Sequence, residues 1–368
     1  MRILMIIDGL PGGGAEKVVL TLAEGMLAKH HQVTLLSLRD VCDYPLPAGL
    51  TYEVVADHCR HPFRKLTEIS RRARQLDKAI ARHQSQGTFD LVCSHLHKTD
   101  RIVSRSRALS RQNTWFCLHG VFSASYLGHR TGLSRWLKQQ KIKNVYQHRN
   151  VVGVSEYVLA DLQQAFGITL QRGEAIPNPF DIDAIEQLAQ QPCPLAGQEY
   201  LVHVGRFHET KRHDRLIEAW AQSGISAPLV LLGKGSPAAT QKLKALADKL
   251  GVGDRLILQG FVENPYPWIR HARLLVVSSD SEGFGNVLVE ALICGTAIVS
   301  TRCPGGPEEI MTGSLARGLA PLSVEGLAKT LQDIYSAPPE IHREMFEKYR
   351  LSVLCDRWLA LNALPAGQ

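Results

Sequence analysis

Short apolar runs alternate with segments of helical periodicity along nearly the whole chain, an order that a parallel α/β sheet accommodates. In the first half, Arg2–Ile7 predicts a strand, Ala15–Lys29 a helix and Gln32–Leu38 a second strand. Phe89–Ser94, Trp115–Leu118 and Asn150–Val154 read as further strands, the last of them closing that half. Residues 64–83 carry Leu66, Ile69, Ala73, Leu76 and Ile80 at three- and four-residue spacing, the mark of an amphipathic helix. Ile176-Pro177-Asn178-Pro179 then breaks the pattern, because its prolines exclude both helix and sheet interior. A second series follows, with strands predicted at Tyr200–Val204, Leu229–Leu232, Arg255–Leu258, Leu274–Val277 and Ala297–Ser300, and helix over 323–361 broken at Pro338-Pro339.

A chain of 368 residues exceeds one ordinary core and fits two α/β domains. They are placed at 1–178 and 179–345, with a terminal helix in 346–368 packing back toward the first. Two such halves put a cleft between the C-terminal edges of two sheets, where ligands bind in folds of this kind. No apolar run approaches the roughly 20 residues of a membrane span. Asp8 cuts the N-terminal apolar run too early for a signal peptide. The eight cysteines include no C-x-x-C pair, and Cys93, Cys117 and Cys294 sit inside apolar runs, which predicts free thiols in a reducing compartment. The expected location is therefore the cytoplasm.

The net charge of +7 is unevenly spread. Residues 1–180 hold 24 Lys+Arg against 14 Asp+Glu, and within 60–149 the balance is 19 against 4. A one-sided field of this size implies an anionic partner: nucleic acid, a membrane surface or an acidic substrate. The segment lacks the basic–aromatic interleaving of a nucleic-acid-binding protein. Its cations instead fall in three sets: Arg71, Arg74, Lys78 and Arg82; Arg101, Arg105, Arg107 and Arg111; and Arg130, Arg135, Lys138, Lys141, Lys143 and Arg149, the last set lying with Tyr126, Leu133 and Trp136. That arrangement predicts peripheral binding to an anionic membrane surface, each cation contributing about 1 kcal/mol.

Gly12-Gly13-Gly14 follows the first strand and opens a helix, where backbone N–H groups favour a phosphate or sugar. The spacing departs from the G-x-G-x-x-G fingerprint, and only Asp40 stands where a ribose-binding acid belongs, so NAD is not indicated. The stronger signal is Ser281-Glu282-Gly283-Phe284-Gly285-Asn286-Val287-Leu288-Val289-Glu290-Ala291, after an apolar strand. Glu282 falls on the loop and Glu290 more than a turn into the helix, so the two would meet different parts of one extended ligand. Gly283 and Gly285 allow close backbone approach at that helix start. Asp181-Ile182-Asp183 has the spacing of a metal-binding pair but opens a helix after the prolines, which predicts capping. No His/Cys/Asp cluster has metal-ligand spacing, and His30, His31, His58 and His61 sit at expected loops. No carboxylate of the first half stands out as a general base.

The stretch from Glu282 to Glu290 resembles the E-x7-E signature of glycosyltransferase family 4, retaining enzymes with two Rossmann-like domains facing across a cleft (the GT-B fold). The resemblance spans nearly the whole chain. Gly13-Gly14-Ala15-Glu16 is similar to that family's G-G-A-E loop, and Val204-Gly205-Arg206-Phe207 with Lys211 to its G-R-x4-K element. Gly233-Lys234-Gly235 and Gly260-Phe261-Val262 match its next two strand-end turns, and Cys303-Pro304-Gly305-Gly306-Pro307-Glu308-Glu309-Ile310 resembles a variant of bacterial surface-polysaccharide enzymes.

The resemblance implies roles. Arg206 and Lys211 would hold the donor diphosphate, and Glu290 the ribose hydroxyls. Glu282 and the amides of Gly283, Phe284, Gly285, Asn286 and Val287 would hold the donor sugar and its phosphate. Phe261 and Val262 would contact the base, and Gly13 and Gly14 the donor. His119, in Leu118-His119-Gly120, would sit beside the donor sugar. The implied activity moves a hexose or N-acetylhexosamine from a nucleotide sugar, UDP-linked in preference to GDP-linked, to a hydroxyl of a lipid-linked glycan in lipopolysaccharide or other surface-polysaccharide assembly. It implies retention of configuration, no metal and no cofactor, and work at the cytoplasmic face of the inner membrane. A nucleotide-sugar epimerase or an NAD-linked oxidoreductase on a related fold is the alternative.

Overall fold

The computed structural model describes residues 1–60 and 64–363. His61 lies outside them, and the side chain of Leu66 is likewise not described. The chain forms two compact units, Met1–Pro179 with the C-terminal segment from Leu351, and Phe180–Arg350.

The first unit runs β1 (Arg2–Ile7), α1 (Gly14–Ala28), β2 (Gln32–Ser37), β3 (Thr51–Val54), α2 (Arg64–Gln84), β4 (Leu91–His95), α3 (His97–Val103), β5 (Thr114–Leu118), α4 (Gly132–Tyr146), β6 (Asn150–Gly153), α5 (Glu156–Phe166) and β7 (Arg172–Ala175). Its sheet has seven parallel strands in the order β3-β2-β1-β4-β5-β6-β7. The central strands β4 and β5 are buried at every residue, and β1 is buried from Ile3 onward, as expected of parallel strands covered on both faces. The strand at Asn150 does not close this half, since β7 follows it and forms the sheet edge. β3 and β7 escape an apolar-run reading because each is a four-residue edge strand with no fully buried residue. On α2 the buried residues Ala73, Leu76, Ala79 and Ile80 sit with Arg72, whose guanidinium is sealed at 4% exposure and donates to Leu38 O.

The second unit runs α6 (Ile182–Leu188), β8 (Leu201–Val204), α7 (His213–Ser223), β9 (Leu229–Leu232), α8 (Pro237–Lys249), β10 (Leu256–Gly260), α9 (Tyr266–His271), β11 (Leu274–Val277), α10 (Asn286–Ile293), β12 (Ala297–Thr301), α11 (Pro307–Ile310), β13 (Leu319–Ala320), α12 (Val324–Ser336) and α13 (Glu344–Glu347). Six parallel strands take the order β10-β9-β8-β11-β12-β13. Its core centres on Trp220, which is fully buried and donates through Nε1 to Ala227 O at 3.1 Å. Phe180 N donates to Tyr349 O at 2.9 Å, and Arg350 pairs with Asp183 at 2.7 Å, which ties both ends of this unit together.

The last helix, α14 (Leu351–Ala360), belongs to the first unit and packs on α1. Gly25 of α1 permits the approach: a Cβ there would lie 2.5 Å from Cys355 Sγ and 2.7 Å from Leu351 Cδ1. Cys93, Cys117, Cys294, Cys303 and Cys355 are buried free thiols. No helix among the described residues is long and apolar enough to cross a membrane.

Candidate active site

Parallel strands send their C-terminal turns to one edge, and in the second unit that edge gathers the sequence motifs. β8 and β11 are neighbours without being consecutive, which makes the gap between their turns the switch point where such sheets receive ligands. The turn after β8 carries Gly205 and Arg206, then Lys211 on a 3-10 turn spanning Glu209–Lys211. The loop after β11 carries Glu282 and leads into α10, with Gly285 as an N-cap that offers no side-chain hydrogen bond.

The two segments are laced together. Ser278 Oγ donates to Lys211 O at 2.8 Å, and Asp280 N donates to Thr210 O at 2.8 Å. Lys211 Nζ donates to Glu282 Oε1 at 2.6 Å, and Ser279 Oγ donates to the same oxygen at 2.5 Å. Both charged side chains are mostly enclosed, at 29% and 11% exposure, so salt screens this pair far less than a surface one. Behind Glu282 stands the turn that begins at Cys303. Glu282 N donates to Pro304 O at 3.0 Å and Gly306 N to Glu282 O at 3.1 Å. Gly305 holds φ +123, and a Cβ there would lie 1.4 Å from Glu282 O, so no other residue fits without moving the loop.

The other expected donor residues line the same edge. Arg206 is exposed. Phe261 is 64% exposed and carries Lys234 Nζ 4.6 Å from its ring centroid, while Val262 is half-buried. Glu290 is half-buried on α10 and accepts from Tyr266 Oη at 3.4 Å. Burial first, and then the Glu290 charge, hold the Tyr266 phenol above its usual range. Gly283, Asn286 and Val287 are half-buried at the start of α10. Phe284 is different: its ring is buried between Phe180 and Tyr349, at centroid distances of 6.4 and 5.5 Å, so only its backbone is left for a ligand. Beneath the β8 turn lie His203 and His213, both buried with rings 4.6 Å apart, and neither is readable as a pair from sequence.

Gly13, Gly14 and His119 belong to the first unit. Gly13 is the N-cap of α1, Gly14 its first residue, and Tyr44 Oη donates to Gly13 O at 2.9 Å. His119 directly follows β5 and pairs with the buried His95, Nε2 to Nδ1 at 3.1 Å. Burial pushes His119 down to about 4, and His95 lies well below the usual imidazole range, so both rings are neutral at neutral pH. The sequence singles out no carboxylate in this half, yet the structure buries two. Asp8, at the end of β1, meets Arg39 at 2.7 Å, Lys98 at 3.2 Å and Arg72 at 3.7 Å. Asp100 is wholly buried, and burial raises its carboxyl well above the usual range.

Asp181 caps α6, accepting from Ala184 N at 3.0 Å, as its position after the prolines predicts. Among the described residues no group of three or more His, Cys, Asp and Glu side chains could hold a metal ion.

Comparison with known proteins gives the family of both units. The family model described as Glycosyl transferases group 1 matches residues 185–351, and that described as Glycosyltransferase Family 4 matches residues 12–184. A Campylobacter jejuni relative, N-acetylgalactosamine-N,N'-diacetylbacillosaminyl-diphospho-undecaprenol 4-alpha-N-acetylgalactosaminyltransferase, is 27% identical over 314 residues, covering 83% of this chain and 82% of that protein. The lipopolysaccharide 1,6-galactosyltransferase of Escherichia coli is 32% identical over 129 residues, covering 33% of this chain and 35% of that one. Among solved structures, the Anabaena protein HepE in complex with UDP superposes with a TM-score of 0.71 at 19% identity, over 99% of this chain and 98% of that one. Two parallel α/β units, the motifs assembled at the β8/β11 switch point and family matches over 12–351 lead to one conclusion: the chain belongs to the family 4, group 1 glycosyltransferases of the GT-B fold.

Proposed function

We propose that this glycosyltransferase moves a hexose or N-acetylhexosamine from a nucleotide-diphosphate sugar, UDP-linked in preference, to a hydroxyl of a lipid-linked glycan in bacterial surface-polysaccharide assembly. The observation that carries the reading is the Lys211–Glu282 contact at the β8/β11 switch point, which brings the expected diphosphate and donor-sugar residues together. The second unit binds the donor and the first takes the acceptor. The lipid-linked acceptor is supported by the printed activity of the Campylobacter relative, and UDP by the HepE complex.

In this reading the acceptor oxygen bonds to the sugar's anomeric carbon while the bond from that carbon to the diphosphate oxygen breaks. Arg206, Lys211 and the N–H groups at the start of α10 meet the charge that develops on the departing diphosphate. That phosphate takes the acceptor's proton, the configuration is retained, and no divalent metal is needed. Glu282 holds the donor sugar and Glu290 the ribose. His119, held neutral by burial, stands beside the sugar without adding a charge. Gly13 and Gly14 are donor-binding residues, and Phe261 and Val262 flank the base.

The first unit also binds an anionic membrane surface at the cytoplasmic face. Not every cation in it is available for that. Arg71 is held by Asp57 and Arg82 by Glu53, and Arg149 donates to Ser104 O at 3.1 Å over the Phe116 ring. α4 is better suited: Leu133, Trp136 and Leu137 are 71%, 53% and 46% exposed, with Arg135, Lys138 and Lys141 on the same helix. Thermal stabilisation across a panel of UDP- and GDP-sugars tests the donor assignment. A shift from at least one UDP-sugar is expected, and none from any nucleotide sugar would overturn it.

A further inference from the structure

Three unusual local features meet at one side chain of the first unit. Leu96, between β4 and α3, holds φ +75, which costs a residue with a side chain about 1 kcal/mol or more. Ser123–Leu127 forms a π-helical turn, a rare element concentrated at functional sites. Asp100 is a buried carboxyl. His97, directly after Leu96, is where they converge. Its Nδ1 lies 2.9 Å from Tyr146 Oη, and Tyr146 Oη lies 2.7 Å from Asp100 Oδ2. Ser94 Oγ donates to Asp100 Oδ1 at 2.5 Å. The His97 ring meets Tyr126 of the π turn edge-on at 4.8 Å and Phe122 at 5.5 Å, and Lys138 Nζ lies 4.8 Å from the Tyr126 centroid.

This chain of hydrogen bonds fixes the imidazole but leaves its other nitrogen unused. Nε2 makes no hydrogen bond to the described residues, and the side chain is half-buried rather than sealed. Burial, and then the Arg101 and Lys138 charges, hold His97 neutral, at about 4. The proton on Asp100 decides the state of Nε2. With Asp100 ionised, Tyr146 donates to it, Nδ1 donates to Tyr146, and Nε2 is a bare acceptor. With Asp100 protonated the chain reverses and Nε2–H is a donor. A hydroxyl pairs with both states, whereas a phosphate or carboxylate pairs with one. His97 stands at the C-terminal end of β4, the edge where parallel sheets take ligands.

We propose that His97 is an acceptor-binding residue whose Nε2 hydrogen-bonds a hydroxyl of the acceptor glycan, with Tyr126 bordering the same subsite. This rests on the first unit being the acceptor side, as given under Proposed function. Tyr146 and Asp100 are positioning residues that act through His97.

Two substitutions separate this role from a structural one. Asn reproduces the Nδ1 position and keeps the Tyr146 bond, whereas Gln reproduces the Nε2 position and loses it. The assay uses the UDP-sugar with the largest thermal shift and the lipid-linked glycan pool extracted from the source cells, with donor hydrolysis measured in parallel. His97→Asn should raise the apparent KM for the extract at least tenfold, with donor KM and hydrolysis within twofold of wild type. His97→Gln should recover most of that loss, and Tyr146→Phe should fall between them. If Asn restores the wild-type acceptor KM and Gln does not, or if donor KM moves instead, the inference fails while the functional reading stands. A wild type that consumes no nucleotide sugar with the extract overturns the reading and the inference together.

Discussion

Lys211 Nζ and Glu282 Oε1 lie 2.6 Å apart, joining residues separated by 71 positions in the chain. The contact makes the two motifs one unit, because each charge is the other's compensation in a mostly enclosed site. Removing one partner leaves an uncompensated charge, which costs more than removing both. Lys211→Met and Glu282→Gln should each lower transfer at least tenfold, about 1.4 kcal/mol or more of transition-state stabilisation. In thermal unfolding the double variant should be more stable than the sum of the single losses predicts. Strict additivity would show that the pair does not form.

Gly305 should tolerate no side chain. With φ +123 and a Cβ position 1.4 Å from Glu282 O, Gly305→Ala must displace the loop that carries Glu282. Gly295→Ala is the control, since Gly295 also has positive φ, at +77, but meets nothing within 4 Å. The control should cost about 1 kcal/mol, from the left-handed backbone alone. Gly305→Ala should cost clearly more and lower kcat, as read by thermal melting and turnover. Equal costs would contradict the close approach.

Acid should destabilise the second unit well before its carboxylates protonate. Burial first, then the Lys211 charge on both and His203 on His213, holds His203 down to about 4 and His213 to about 3. In the unfolded chain both titrate near 6.5. Below that pH the unfolded state binds protons that the folded state refuses. Stability is therefore fully present above about 6.5 and falls as pH drops toward about 4. The slope is at most on the order of 1 kcal/mol per pH unit per histidine. Melting temperature followed from pH 7 to pH 5 should show the decline, and His213→Gln should flatten it. A flat wild-type profile would mean that these rings are not held neutral.

Membrane binding should depend on α4 more than on α2. Leu133→Ser with Trp136→Ser, or Lys138→Glu with Lys141→Glu, should each weaken co-sedimentation with anionic vesicles, and wild-type binding should fall between 0.1 and 1 M salt as the Debye length shrinks from about 10 to about 3 Å. Arg71→Gln and Arg82→Gln should matter less, since Asp57 and Glu53 already offset those charges. Equal binding to neutral vesicles would count against the surface.

Much of this protein was legible in its sequence, and each exception has its own physical cause. Leu229–Leu232 and Leu274–Val277 are strands at the predicted residues because each is a fully buried apolar run. β3, β7 and the two-residue β13 were missed because edge strands need no continuous apolar run. The strand-end motifs of the second unit were readable because each is local, a strand end followed by its turn. The Ser94, His97, Asp100 and Tyr146 network was not, since Tyr146 reaches Asp100 and His97 from 46 and 49 residues away. The family resemblance likewise implied a ligand-binding role for the Phe284 amide but could not show that the ring turns into the core.

The most direct test is release of nucleoside diphosphate from a UDP-sugar, with the extracted lipid-linked glycans as acceptor and excess EDTA present. Wild type should release it, with transfer of sugar to the lipid fraction. Arg206→Ala should be slower by about 2–4 kcal/mol, the range of other lost transition-state donors. Loss of wild-type activity on chelation with recovery by Mg²⁺ or Mn²⁺, or near-normal turnover in both Arg206→Ala and Glu282→Gln, would contradict a metal-free donor site built on these residues.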